Sequence, residues 1–392
     1  MQIDGIVAPG YGPLTEAFAA AFEGRPQMGA ALGIRVGGDE VVNLWGGIAD
    51  ARTGEQWTAS TASVIFSCTK GLMSILLARL VEEERLDYDA PVVAYWPEFA
   101  AAGKDRITVR QAISHQAGLS APRRDWALST LLDWNAATQL LAEQAPLWEP
   151  GTGYAYHALT HGWLTGELVR RITGMSPGAY FAELAARPLG ADAWIGLPDA
   201  AGKVAHLTVA PALDDLWSEM AAQDANGRPN WPYRAMTLGA ALPPSLVTPG
   251  GGFNDPRVRR AEIPGAGGIA TASALAAIWS ATVCETEGVR LLDPRTIERA
   301  TQTVTEGPPV FDPIPPFSRW GMGFQLDSEA RRYLTGVSFG HDGAGGQVGF
   351  ADPQQGVGFA FVTNWMEGPG DLRSTAIIDA LRTVLADCKR SA

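Results

Sequence analysis

From Val64 to Leu77 the chain is apolar apart from one lysine and a few small polar residues: Val64-Ile65-Phe66-Ser67-Cys68-Thr69-Lys70-Gly71-Leu72-Met73-Ser74-Ile75-Leu76-Leu77. Only four lysines occur in all 392 residues, and Lys70 is the one inside this run. An ammonium among such neighbours loses hydration, which proteins accept only for a group that is paired or chemically used. Leu72, Met73, Leu76, Leu77, Leu80 and Val81 continue an apolar stripe, and Thr58, Ser60 and Thr61 offer capping hydroxyls upstream. The run therefore reads as a helix packed inside the protein, with Ser67 near its N-terminus. Residues three apart share a helix face, so the Ser67 hydroxyl and the Lys70 amine project together.

A Ser-x-x-Lys pair can supply a nucleophile and its base without histidine. A helix N-terminus adds free backbone N–H groups and the positive end of the dipole, both of which favour a developing oxyanion. The same two residues also fit a capping serine and a lysine snorkelling to the surface, and the pair alone does not choose.

The length favours two closely packed subdomains over one core. With 46% hydrophobic and 18% charged residues the composition is globular. A net charge of −12 disfavours nucleic acid and anionic membrane surfaces as partners. Cys68, Cys284 and Cys388 are far apart and lack metal-ligand spacing, so they read as thiols in a reducing compartment. Met1-Gln2-Ile3-Asp4-Gly5 has neither a basic start nor an apolar signal core, and no stretch is long enough to span a membrane. A cytoplasmic location is the expectation.

Residues 14–23 have helical spacing. Gly29–Val36 and Val41–Trp45 read as strands joined by a turn at 37–40. From Asp87 to Pro249 the pattern is helical segments broken by Pro and Gly, including a long helix near 156–173. A helix at 271–283 follows, then strands at 320–326, 336–341, 346–351 and 357–364, and a C-terminal helix at 372–386. Strands at both ends with a helical insertion predict an α/β (α+β) fold. One antiparallel sheet would be built from both termini (1–86 and 250–392) and flanked by helices, with an all-helical subdomain at 87–249.

A Ser-Lys hydrolase needs a second proton handler and a second oxyanion donor. In Pro150-Gly151-Thr152-Gly153-Tyr154-Ala155-Tyr156-His157, a turn can hold Tyr156 at the start of the long helix, and a nearby Lys70 ammonium would stabilise its phenolate. A core tyrosine with a satisfied hydroxyl fits the segment equally well. Phe339-Gly340-His341-Asp342-Gly343-Ala344-Gly345-Gly346 lets backbone approach a ligand closely, although His341 also fits a satisfied loop histidine.

Ser67-x-x-Lys70, Tyr156 after Pro-Gly-Thr, and His341-Asp342-Gly343 stand in the order found in the penicillin-recognising serine hydrolases. Ser114-His115-Gln116-Ala117-Gly118-Leu119, Pro264 to Thr271 and Trp320-Gly321-Met322-Gly323-Phe324 add to the likeness. The chain most resembles family VIII carboxylesterases, which share the class C β-lactamase fold. The resemblance implies Ser67 as acylated nucleophile, with Lys70 accepting its proton or tuning it and Tyr156 as base and then acid to the leaving alcohol; the sequence does not apportion the base role between Lys70 and Tyr156. It implies an oxyanion hole from the N–H groups of Ser67 and Ala344, with His341, Gly343 and Gly345 around the substrate. It implies no metal and no cofactor, and a small-molecule ester as substrate.

Two departures narrow the reading. Lactam-handling relatives carry Tyr/Ser-x-Asn and Lys-Thr/Ser-Gly where this chain has Tyr156-His157-Ala158 and His341-Asp342-Gly343. Both changes remove groups that read an anionic lactam, which favours neutral esters. A β-lactamase or D-amino-acid peptidase or transferase on the same scaffold is the enzymatic rival, and a non-catalytic ligand-binding member is the other. Gly336-Val337-Ser338-Phe339-Gly340 mimics the nucleophile elbow of α/β-hydrolases, but no helix is expected after it. His157-x-x-x-His161 has the spacing of a zinc pair without the glutamate or a third ligand. Trp126, Trp134, Trp148, Trp231 and Trp365 are candidates for an apolar pocket and equally for the core.

Overall fold

Gly29–Val36 (Gly-Ala-Ala-Leu-Gly-Ile-Arg-Val) shows no polar–apolar alternation because helices cover both faces of the sheet it occupies. The computed structural model describes residues 2–225, 229–311, 313–368 and 370–391. The main sheet runs, in spatial order, Ile3–Val7, Asp39–Asp50, Gly29–Val36, Val357–Thr363, Gln347–Asp352, Phe339–Gly343, Gln325–Leu326 and Arg319–Trp320. Glu55–Gln56 adds to the edge of Asp39–Asp50. All neighbours are antiparallel, and the two chain ends meet where Ile34 faces Phe359 and Leu32 faces Phe361.

On one face Pro13–Ala20 and Arg373–Ser391 bury Phe18, Ile377, Ile378 and Leu381 against Leu32, Phe359 and Phe361. On the other lies Ala272–Val283, capped by the Thr271 side chain. A row of small residues, Gly33, Ala360 and Gly349, crosses three paired strands beneath it. A Cβ on Gly33 would come within 2.5 Å of the Ala272 carbonyl oxygen, and one on Gly349 within 2.5 Å of Trp279 Nε1. Glycine there sets how close the helix lies to the sheet.

A smaller sheet positions the site. Its strands are Ser63–Phe66, Gly268–Ala270 and Ala193–Ile195. The inserted region is mainly helical, with Trp134–Glu143, Thr160–Thr173, Pro211–Ala225 and Trp231–Thr237 its longer helices. It is not purely helical: Ala193–Ile195 joins the small sheet, and Thr208–Val209 pairs with Trp365–Met366. Runs of two or three residues are too short to show a period in sequence.

Three further expectations shift. Thr58, Ser60 and Thr61 cap no helix; they bond within a turn, and the strand Ser63–Phe66 intervenes before the Ser67 helix. The helix expected from 156 begins at Thr160, leaving Tyr156 in the irregular lead-in. The strand expected over 320–326 is two short strands, Arg319–Trp320 and Gln325–Leu326, folded against each other. Among the described residues, no helix is long and apolar enough to cross a membrane.

Candidate active site

Ser67 is the N-cap of the helix Cys68–Glu82, which is buried on nearly every side. The strand feeds into it through Phe66, whose φ of 43° is unusual for a bulky residue. Such a conformation costs on the order of 1–3 kcal/mol and persists only when packing enforces it. Here Phe66 is fully buried edge-to-face on Phe253, and Thr69 Oγ1 donates to the Phe66 carbonyl while accepting the Gly268 N–H at 2.8 Å. The kink therefore belongs to the device that presents Ser67.

Lys70 has no exposed surface. Its Nζ lies 3.0 Å from Ser67 Oγ, 2.6 Å from the Ala158 carbonyl oxygen and 2.7 Å from that of Gly265. Carbonyls only accept, so two N–H bonds must point at them. A neutral amine then has its lone pair left for the third partner, the Ser67 hydroxyl, which can donate. Burial drives Lys70 well below its ordinary pKa, in the same direction. Lys104 makes the contrast: its Nζ donates to the carbonyls of Ala101, Ala142 and Gln144, a set that needs three N–H bonds and suits an ammonium. Burial lowers Lys104 only to about 8. Burial thus lowers both lysines, Lys70 further than Lys104, and only Lys70 has a hydroxyl among its partners.

Tyr156 lies against this pair, with Lys70 Nζ 4.8 Å from its ring centroid. Trp320 stacks on it at 5.4 Å and His115 meets its edge at 4.9 Å. Part of the ring opens to the cavity, yet burial pushes the phenol up, opposed by hydrogen bonding to Ser67. This corrects the expectation of a phenolate stabilised by Lys70: desolvation disfavours both charges, so the resting pair is amine and phenol.

The loop after Phe339–Gly343 faces Ser67 from the sheet. A Cβ on Gly343 would fall 2.3 Å from the Ile65 carbonyl oxygen, so only glycine lets this strand end press against the strand leading to Ser67. Cys68 Sγ donates to the His341 carbonyl at 3.1 Å, tying helix to loop. Ala344 lines the same cavity as Ser67, and its N–H has no partner among the described residues. Gly345 does not line it; its carbonyl accepts from Arg373 and from the Glu367 N–H, which makes it a support of the loop. His341 is buried, and burial holds its imidazole neutral. Asp342 pairs with Arg331 at 2.6 Å, a partner no sequence pattern indicated.

The decoys resolve by geometry. Ser338 Oγ donates to Asp352 and accepts the Thr335 N–H at 2.9 Å, and it runs straight into a strand. His157 bonds the Ala155 carbonyl and the Leu119 N–H, while His161 bonds the Ile113 carbonyl. Among the described residues no group of His, Cys, Asp or Glu has the arrangement to hold a metal ion. Of the five tryptophans considered, only Trp231 lines the cavity.

His115, His157, His161 and His341 crowd this centre, and burial lowers all four, His157 to about 4 and His161 to about 3. The unfolded chain binds protons below about 6.5 that the native state refuses, so stability is full above that pH and lost as pH falls. His157 alone contributes on the order of 3 kcal/mol to this loss by pH 4. Thermal melts should show Tm falling steeply between about pH 6.5 and 4, and less steeply in His157→Gln. Equal slopes for the two proteins would remove His157 from this account.

A hydroxyl aimed at a buried neutral amine, beside a phenol and under a glycine-rich strand end, is serine-hydrolase chemistry on an α/β sheet-and-helix frame. The chain is a serine hydrolase that belongs to the Beta-lactamase family, whose profile matches residues 18–383. The Esterase/beta-lactamase LipL of Mycobacterium tuberculosis (strain ATCC 25618 / H37Rv) is 34% identical over 373 residues, covering 94% of this chain and 84% of that one. The crystal structure of a family VIII carboxylesterase superposes with a TM-score of 0.86 at 34% identity, over 98% of this chain and 100% of the other. A penicillin-binding protein homologue from Caulobacter crescentus gives 0.85 at 36% identity, with the same coverage of each chain.

Proposed function

We propose that this hydrolase is a carboxylesterase that cleaves small neutral esters through an acyl-enzyme on Ser67. The observation that carries the ester preference is the charge of the cavity. Among the described residues that line it there is no lysine or arginine, and the one carboxylate among them, Asp342, is tied to Arg331. His341 stands neutral where a lactam-reading relative would hold a cation, and Ala158 gives only a methyl group to the cavity side. An anionic substrate finds nothing there to offset its desolvation. The names of the carboxylesterase and esterase relatives support the same reading.

In this reading Ser67 attacks the ester carbonyl as its proton passes to the Lys70 amine. The N–H groups of Ser67 and Ala344 hold the oxyanion. Tyr156, kept as a phenol, gives its proton to the departing alkoxide and is reprotonated from Lys70. Water then repeats the sequence in reverse on the acyl-enzyme. Gly343 and Gly345 act by placing Ala344, and His341 by shaping the wall. The substrate sits between an α/β part (1–86 and 250–392) and a mainly helical part (87–249). Free Cys68, Cys284 and Cys388 support a reducing, cytoplasmic setting, which subcellular fractionation tests.

Michaelis kinetics on a nitrophenyl ester beside a chromogenic cephalosporin test the function. Ester kcat/KM should exceed the lactam value by orders of magnitude; the reverse would make the protein a β-lactamase. Tyr156→Phe should lower kcat on the order of 10²–10³-fold while keeping the acidic limb of the pH–rate profile, which belongs to Lys70. Loss of that limb in the variant would transfer the base role to Tyr156.

A further inference from the structure

The cavity over Ser67, about 520 Å³, has two unlike walls. On one side stand Ser67, His341 and Ala344, together with buried polar atoms that have no partner among the described residues: Ser120 Oγ, Trp320 Nε1 and His341 Nε2. The other wall is apolar and comes from two helices and one loop segment. Met220, Trp231 and Met236 belong to the helices Pro211–Ala225 and Trp231–Thr237, and Phe311, Ile314 and Phe317 follow Gly307.

This apolar wall is joined to the Tyr156 side. Trp231 and Met236 pack with Tyr156 around Ala121, Ala158 and Ala235. Phe311 lies 6.2 Å from Trp231 and 5.6 Å from Trp148. Tyr154, two residues before Tyr156, fastens the wall at two points. Its hydroxyl donates to the Gly307 carbonyl and its own carbonyl accepts the Val310 N–H, each at 2.7 Å. Ile314 is 71% exposed, so the wall reaches the mouth of the cavity. A fastened aromatic wall needs little ordering when a ligand binds, which favours affinity.

Tyr156 protonates the leaving oxygen in the acyl-enzyme reading, on which this step rests, so the group next to Tyr156 is the alcohol. The geometry points to esters of a bulky apolar alcohol, aryl or arylalkyl, seated between Trp231 and Phe311, with a small acyl group toward the sheet. Methyl or ethyl groups would leave most of the cavity unfilled. In acylation the Ser67 Oγ–carbonyl carbon bond forms and the ester C–O bond breaks. The hydroxyl proton goes to Lys70 and an equivalent proton reaches the alcohol through Tyr156, so the alcohol departs neutral.

Methyl, butyl and benzyl acetate test this, because all three pass through the same acetyl-enzyme and differ only before it. Benzyl and methyl alcohol are similar as leaving groups, so a preference reports binding in the transition state. The expected result is a kcat/KM for benzyl acetate at least tenfold above methyl acetate, with that ratio reduced roughly tenfold in both Trp231→Ala and Phe311→Ala. Equal kcat/KM values, a ratio unchanged in both variants, or a preference that follows acyl bulk (methyl benzoate over methyl acetate) would overturn it. If no ester acetylates Ser67, the underlying esterase reading has failed; acetylation without alcohol preference sinks only this inference.

Discussion

Replacing Lys70 by methionine lowers kcat for ester hydrolysis by on the order of 10³–10⁴-fold while the protein stays folded. Methionine fills nearly the same volume, and circular dichroism checks that the helix Cys68–Glu82 survives. The loss follows from the arrangement around Nζ. Two backbone carbonyls accept from Nζ, and a neutral amine so held has its lone pair left for Ser67 Oγ, 3.0 Å away. Because burial lowers the Lys70 pKa, its base form is present well below the pH at which a free lysine loses its proton. Wild-type activity should therefore rise with pH through an acidic limb and hold near neutrality. Lys70→Met should lose the limb together with the rate. A variant within tenfold of wild type would exclude Lys70 as the base.

Gly343→Ala should cost on the order of 10²–10³-fold in kcat, comparable to the loss of an oxyanion donor. The new methyl group would stand 2.3 Å from the Ile65 carbonyl oxygen and 2.8 Å from Gln347 Cβ, and backbone cannot yield there as a flexible side chain can. The strand end would move away from Ser67 and take the Ala344 N–H with it. Gly336→Ala, at an exposed turn with open space around the new carbon, is the matched control and should leave kcat unchanged. Equal effects of the two substitutions would mean that the placement of Ala344 does not matter to the rate.

The part of the site that local geometry dictates was legible in the sequence. Ser67 and Lys70 are three residues apart on one helix, and period and composition suffice to put hydroxyl and amine together. The sheet built from both chain ends was legible for a similar reason, since its strands are long enough to show their apolar content. What escaped is set by tertiary contact. The carbonyls that hold Lys70 Nζ belong to Ala158 and Gly265, 88 and 195 residues away, and backbone acceptors have no sequence signature. Desolvation of Tyr156 depends on Trp320 and His115 arriving from separate segments, which is why the sequence suggested a phenolate while burial favours the phenol. The Arg331 partner of Asp342 lies in an unremarkable stretch, and only the fold turns it inward.

Covalent labelling with a fluorophosphonate, read by intact mass, tests the central claim most directly. The account predicts one adduct on the wild type and on Ser338→Ala, none on Ser67→Ala, and a labelling rate that falls sharply in Lys70→Met. An adduct that persists in Ser67→Ala, or that disappears with Ser338, would contradict it.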